Sequence, residues 1–248
     1  MKTLQSRTIA VATLLLSIFS SCGNKEIKQT DSSTPGKEQT VATKTPVINF
    51  RDPIYIDSTD YVMYPLSTKK DNSDGSYNKI LSGTGIPTYW NIAFYNMVSK
   101  TYHLLDDKRK MLITSYAQEG SFQYSSAGII NTNKSDDIIF YSVVVTDYNK
   151  DGKLDPDDPS YLFISDKKGN NFKQISPEGL KVTGWKTIKR TGKVLIQAVG
   201  DTNNDKKFDN DDEALPYVYD IKTGAIAQPV FGKDFTDAAD QVLEKHWK

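Results

Sequence analysis

Two stretches of this chain space oxygen-bearing side chains as a divalent cation requires. The first is Asp147-Tyr148-Asn149-Lys150-Asp151-Gly152-Lys153-Leu154-Asp155-Pro156-Asp157-Asp158. Asp147, Asn149, Asp151, Asp155 and Asp158 stand at positions 1, 3, 5, 9 and 12, Lys153 offers a backbone carbonyl at position 7, and Gly152 supplies a sharp turn at position 6. Calcium takes about 6–8 hard oxygen ligands, and alternating Asp and Asn side chains in a tight arc turn their oxygens inward together. Residues 201–212 repeat the pattern, with Asp201, Asn203, Asp205, Asp209 and Asp212 at the same positions and the Lys207 carbonyl at position 7. Lys206 stands where glycine is expected. A positive φ costs a non-glycine residue about 1 kcal/mol, so the second loop is expected to bind more weakly. The carboxylates of each loop repel one another until a cation joins them. The expectation is therefore two calcium ions with a structural role. Asp, Asn and Gly also form ordinary solvated turns, but two matched loops 54 residues apart argue against that reading.

The loops resemble EF-hand and dockerin calcium loops, with Asp158 and Asp212 in place of the usual position-12 Glu, as in dockerins. Their flanks differ. Residues 161–166 read as a strand, Pro216 follows the second loop, and no helix brackets either one. In this they are similar to the DxDxDGxxD loops set in β-hairpins of integrin-type propellers. That resemblance implies direct ligation by Asp155 and Asp209 and an optional role for Asp158 and Asp212. An earlier acidic run, residues 71–75, lacks the ligand set and reads as a plain loop.

Other chemistry is scarce. One Cys excludes an intramolecular disulfide, and two His leave little to build a multi-histidine metal centre. His103 reads as a packed strand residue, Asp106-Asp107 and Asp136-Asp137 as turns, and residues 186–190 as the solvent face of a strand. Trp90 and Trp185 read as core rather than as a sugar platform. With 31 basic and 31 acidic residues the chain lacks the basic footprint of a nucleic-acid binder. The expectation is a non-enzymatic binding or structural module. The alternatives are a calcium-dependent glycan hydrolase and an accessory subunit of an envelope complex.

The elements holding the loops read as β-structure. Short runs rich in β-branched and aromatic residues predict strands at 61–66, 91–95, 101–105, 110–116, 138–146, 161–166, 172–175, 182–189, 194–199, 217–220 and 225–230. A helical period is sustained only at the end, where Thr236 is placed to cap FTDAADQVLEKHWK. A unit of strand, acidic loop, strand, tight turn and strand recurs, with Asp166 and Asp220 also 54 residues apart and a fainter copy over residues 61–105. The predicted class is all-β: repeated four-stranded antiparallel meanders, propeller-like or sandwich, with a short C-terminal helix. The hairpin YLFISDKKGNNFKQI resembles the outer strands of a TolB-type propeller blade, where a strand ending in Asp turns through a Gly loop. Trp185 followed by Thr191-Gly192-Lys193 is similar to that family's blade opening, without its Pro-Asp pair. Three such units are fewer than a common closed propeller holds.

The start of the chain gives an address. Lys2 and Arg7 precede an apolar run at residues 9–19, and Ser20-Ser21 precede the single Cys. That is the pattern of a signal peptide over residues 1–21, too short for a membrane span of about 20 residues. Phe19-Ser20-Ser21-Cys22 resembles the lipobox of bacterial lipoproteins. The resemblance implies an acylated Cys22 that anchors the mature chain in a lipid bilayer. Gly23-Asn24-Lys25-Glu26 resembles lipoproteins of Bacteroidota, which implies the cell envelope and its outer membrane, on the periplasmic or surface face. Residues 22–46 hold no aromatic side chain and read as a flexible tether. Residues 47–248 are the predicted β-repeat domain, with an envelope protein or glycan as its partner.

Overall fold

The computed structural model describes residues 47–69, 88–117, 129–130 and 137–247. The predicted signal peptide, Cys22, the tether and residues 71–75 lie outside the described residues. Lys44–Lys248 belong to one compact unit. The strands are β1 Val47–Phe50, β2 Ile54–Ile56, β3 Tyr61–Lys69, β4 Asn91–Asn96, β5 Tyr102–Leu104, β6 Leu112–Ala117, β7 Ile129–Ile130, β8 Ile138–Val144, β9 Ser160–Asp166, β10 Lys173–Gln174, β11 Leu180–Ile188, β12 Lys193–Gly200, β13 Ala214–Asp220 and β14 Gln228–Pro229. Among the described residues there is one helix, α1, spanning Lys233–Trp247.

The protein is all-β with a C-terminal helix. Its strands form three antiparallel four-stranded meanders: β2-β3-β4-β5, β6-β8-β9-β10 and β11-β12-β13-β14. None closes into a barrel. β1 pairs antiparallel with β3, and β7 pairs parallel with β2, so the first sheet has six strands. The repeat is metrical: β9 and β13 begin and end 54 residues apart.

The meanders pack face to face, with the second in the middle. In β8, Ile139, Tyr141 and Val143 face the first sheet's Ile92, Phe94 and Met63, while Phe140 faces the third sheet's Val182 and Trp185. In β9, Tyr161 and Phe163 join the first core, and Leu162 and Ile164 join the second. A strand buried on both faces needs a continuous apolar run rather than an alternation. β8 and β9 have that composition, and all but one residue of each is buried. By contrast β12 alternates, with Val194 and Ile196 buried and Leu195 and Gln197 exposed, because among the described residues its sheet is covered on one side.

Prolines sit where the ladder can spare a donor. Pro65 and Pro216 turn their carbonyls outward, to the amides of Arg51 and Val230 (2.9 Å each), so their missing N–H groups face the same sides. Pro216 therefore extends β13 instead of interrupting it. Three strands, β1, β2 and β7, were not legible in the sequence. The helix also starts earlier than expected. Gly232 accepts the amides of Phe235 (3.0 Å) and Thr236 (3.3 Å), and the Thr236 hydroxyl bonds back to the Lys233 carbonyl (2.9 Å). Thr236 thus lies inside the first turn, and Gly232 occupies the cap. No residue of α1 is buried, and no described helix is long and apolar enough to cross a membrane.

Candidate metal centre

Residues 147–158 join β8 to β9, and residues 201–212 join β12 to β13. The two loops share one hydrogen-bond pattern. At position 1, Asp147 Oδ2 accepts the Gly152 amide (2.9 Å) and Asp201 Oδ2 accepts the Lys206 amide (3.1 Å). At position 3, Asn149 and Asn203 accept the amide two residues on (2.9 Å each). At position 5, Asp151 accepts from Lys153 (2.8 Å) and Asp205 from Lys207 (2.9 Å). At position 9, Asp155 and Asp209 accept from Asp157 and Asp211 (3.0 Å each).

Position 12 closes the arc. Asp158 takes the amides of Tyr148 (2.8 Å) and Asp155 (3.2 Å), and Asp212 takes those of Thr202 (2.8 Å) and Asp209 (3.2 Å). These aspartates brace each loop from its last residue back to its second and ninth. Asp158 is buried, and a carboxylate there is tolerated because its oxygens are bonded. The backbone repeats as well. Position 4 is left-handed at Lys150 (φ 65°) and Asn204 (φ 61°), and position 6 at Gly152 (φ 87°) and Lys206 (φ 66°). Lys206 adopts the conformation expected of the glycine it replaces.

The donor set is all hard oxygen, which suits calcium. Among the described residues no three His, Cys, Asp or Glu side chains are already gathered as a metal-holding group. The loop carboxylates instead hold amides of their own loops. Of the loop carboxylate oxygens, Asp201 Oδ1 is buried with no hydrogen-bond partner. Asp155 is pushed above the usual carboxylate range, first by burial and then by Asp157, Asp151 and Asp158, against the opposing Asp157 amide. For Asp212 burial also pushes upward, but bonds from Thr202 and Asp209 outweigh it and hold the group below its ordinary value.

The loops also touch, which spacing alone could not reveal. Tyr148, at position 2 of the first, donates its hydroxyl to Asp201 Oδ2 (3.0 Å), and its ring lies 5.0 Å from that of Phe208 at position 8 of the second. A cleft lined by Asn149, Lys207, Phe208 and Asp209 runs between them. The only sequence signal for this contact is one aromatic residue in each loop.

His103 stacks on Phe94 (5.5 Å). Asp106 is buried and paired with Arg109, whose guanidinium lies over Phe163 (5.5 Å). Asp137 is exposed near Lys167, and Asp136 lies outside the described residues. Trp185 is buried against Phe140 (5.9 Å). No protein-family model matches the chain, and no curated protein matches it.

Proposed function

We propose that this chain is an envelope lipoprotein, anchored through Cys22, that binds two structural calcium ions and serves as a non-enzymatic binding or structural module. The observation that carries the reading is the position-by-position match of the two loops, in side-chain bonds and in left-handed backbone. Two unrelated solvated turns have no reason to agree in this way. The residues that would hold the ions are Asp147, Asn149, Asp151, Asp155 and the Lys153 carbonyl, and Asp201, Asn203, Asp205, Asp209 and the Lys207 carbonyl. A cation would offset carboxylate repulsion and give the buried Asp201 Oδ1 a partner.

Calorimetric titration of the purified full chain tests this. Two calcium sites are expected, the first loop binding more tightly. Asp147→Ala with Asp151→Ala removes one site, and Asp201→Ala with Asp205→Ala removes the other. Absence of calcium heat, together with a melting temperature indifferent to calcium and chelator, sinks the reading. A role as accessory subunit of an envelope complex has its own support: α1 carries exposed Phe235, Val242, Leu243 and Trp247, a face suited to another protein.

A further inference from the structure

A half-open cavity of about 340 Å³ lies where the second and third meanders meet, beside the first loop. Its volume falls in the range of small-molecule sites. Six hydroxyl residues line it: Thr88, Thr114, Ser115, Ser142, Ser160 and Thr183. Two come from broken register. β6 slips against β8 between Ile113 and Ser115, which frees Thr114. β11 slips against β12 between Val182 and Gly184, which takes Thr183 out of the ladder and leaves its hydroxyl on the Gln197 carbonyl (3.3 Å). A bulge costs ladder pairing and re-aims a side chain. Here two bulges on different sheets turn their extra residues to one cavity.

The polar groups of the wall are incompletely used. Thr114 Oγ1 bonds Ser142 Oγ (3.0 Å). Ser115 Oγ is buried with no hydrogen-bond partner. Buried polar atoms are nearly always paired, so this one calls for a bound group. The one cation, Lys181, bonds the Pro156 carbonyl (3.3 Å) and keeps further donors. The one carboxylate, Asp158, spends its oxygens on amides of the first loop. Val144 and Val182 supply apolar wall.

We infer that this cavity binds a single neutral sugar unit. Its hydroxyls match a wall of hydroxyls that both donate and accept, and its carbon face meets the two valines. One cation and one spent carboxylate give no excess charge to select an ion. The inference stands apart from the calcium reading.

Saturation-transfer NMR on the full chain tests it, with D-glucose, D-galactose, D-mannose and N-acetyl-D-glucosamine as probes and D-glucuronate and D-glucosamine as charged counterparts. At least one neutral sugar should give saturable transfer with about millimolar affinity. Ser115→Ala should weaken it about fivefold, the loss of one hydrogen bond. Thr183 is exposed at the mouth, so Thr183→Trp should block binding without disturbing the core. Thr223→Ala, on the β13–β14 turn, should change nothing. If Ser115→Ala loses its near-UV dichroism, Thr183→Trp decides alone. The inference is overturned if no neutral sugar gives saturable transfer, if only the charged counterparts bind, or if binding survives Thr183→Trp at full strength.

Discussion

Gly152 and Lys206 hold the same place in two loops and the same left-handed backbone, with different side chains. Lys206 bears the strain that Gly152 avoids. Lys206→Gly keeps the amide bond to Asp201, relieves up to about 1 kcal/mol and gives back part of it as unfolded-chain entropy. The expected outcome is a small rise in melting temperature and tighter calcium binding at the second loop, read by calorimetry against the unchanged first loop. Tyr141 makes a different residue-scale case. Burial raises its phenol well above 10; the Ser165 bond lowers it and Asp166 raises it. The folded state thus keeps a proton that the unfolded chain releases. Its contribution to stability is complete below pH 10 and is lost as the pH rises beyond that. Tyr141→Phe should flatten the alkaline fall of the melting temperature, with Tyr116, also raised by burial, retaining part of it. At neutral pH the cost should be about 1 kcal/mol or less, since Ser165 still bonds the Asp166 carbonyl (2.8 Å).

At the scale of elements, the turns tie the sheets together. Gly169, at φ 79°, closes the β9–β10 turn, where Asp166 accepts the amides of Lys168 (2.8 Å) and Asn170 (2.9 Å). A Cβ on Gly169 would meet the Phe94 ring of β4 at 2.5–2.7 Å. Gly169→Ala should therefore destabilise by about 2–4 kcal/mol, from left-handed strain and overpacking together. Chemical denaturation would measure it, and Phe94→Leu in the same chain should recover part of the loss; no recovery would mean the ring is not the obstacle. The Asp and Gly of this turn were legible because they encode local geometry. So were the eleven expected strands, whose β-branched and aromatic runs match β3 to β6 and β8 to β14. β1, β2 and β7, of two to four residues, were not; β5, β10 and β14 are as short, but each lies inside a longer β-branched or aromatic run that the sequence shows. Thr236 also misled: a good cap residue precedes an amphipathic run, yet the chain had already turned at Gly232.

At the scale of the molecule, three meanders form a stack in which, among the described residues, the middle one is covered on both faces. The proposed anchor belongs to this scale. Cys22→Ser, or inhibition of lipoprotein signal processing, should move the protein from the membrane fraction to the soluble one. Full retention in the membrane would remove the anchor from the proposal. The sequence by itself determined the strands, the turn residues and the oxygen spacing of both loops, because each depends on neighbours a few residues apart. Only the tertiary structure decided that Tyr148 of one loop bonds Asp201 of the other, and that two bulged threonines face one cavity. Those pairings depend on how the sheets stack. The stacking follows from side-chain volumes summed over both faces of β8 and β9, and no local pattern encodes that sum.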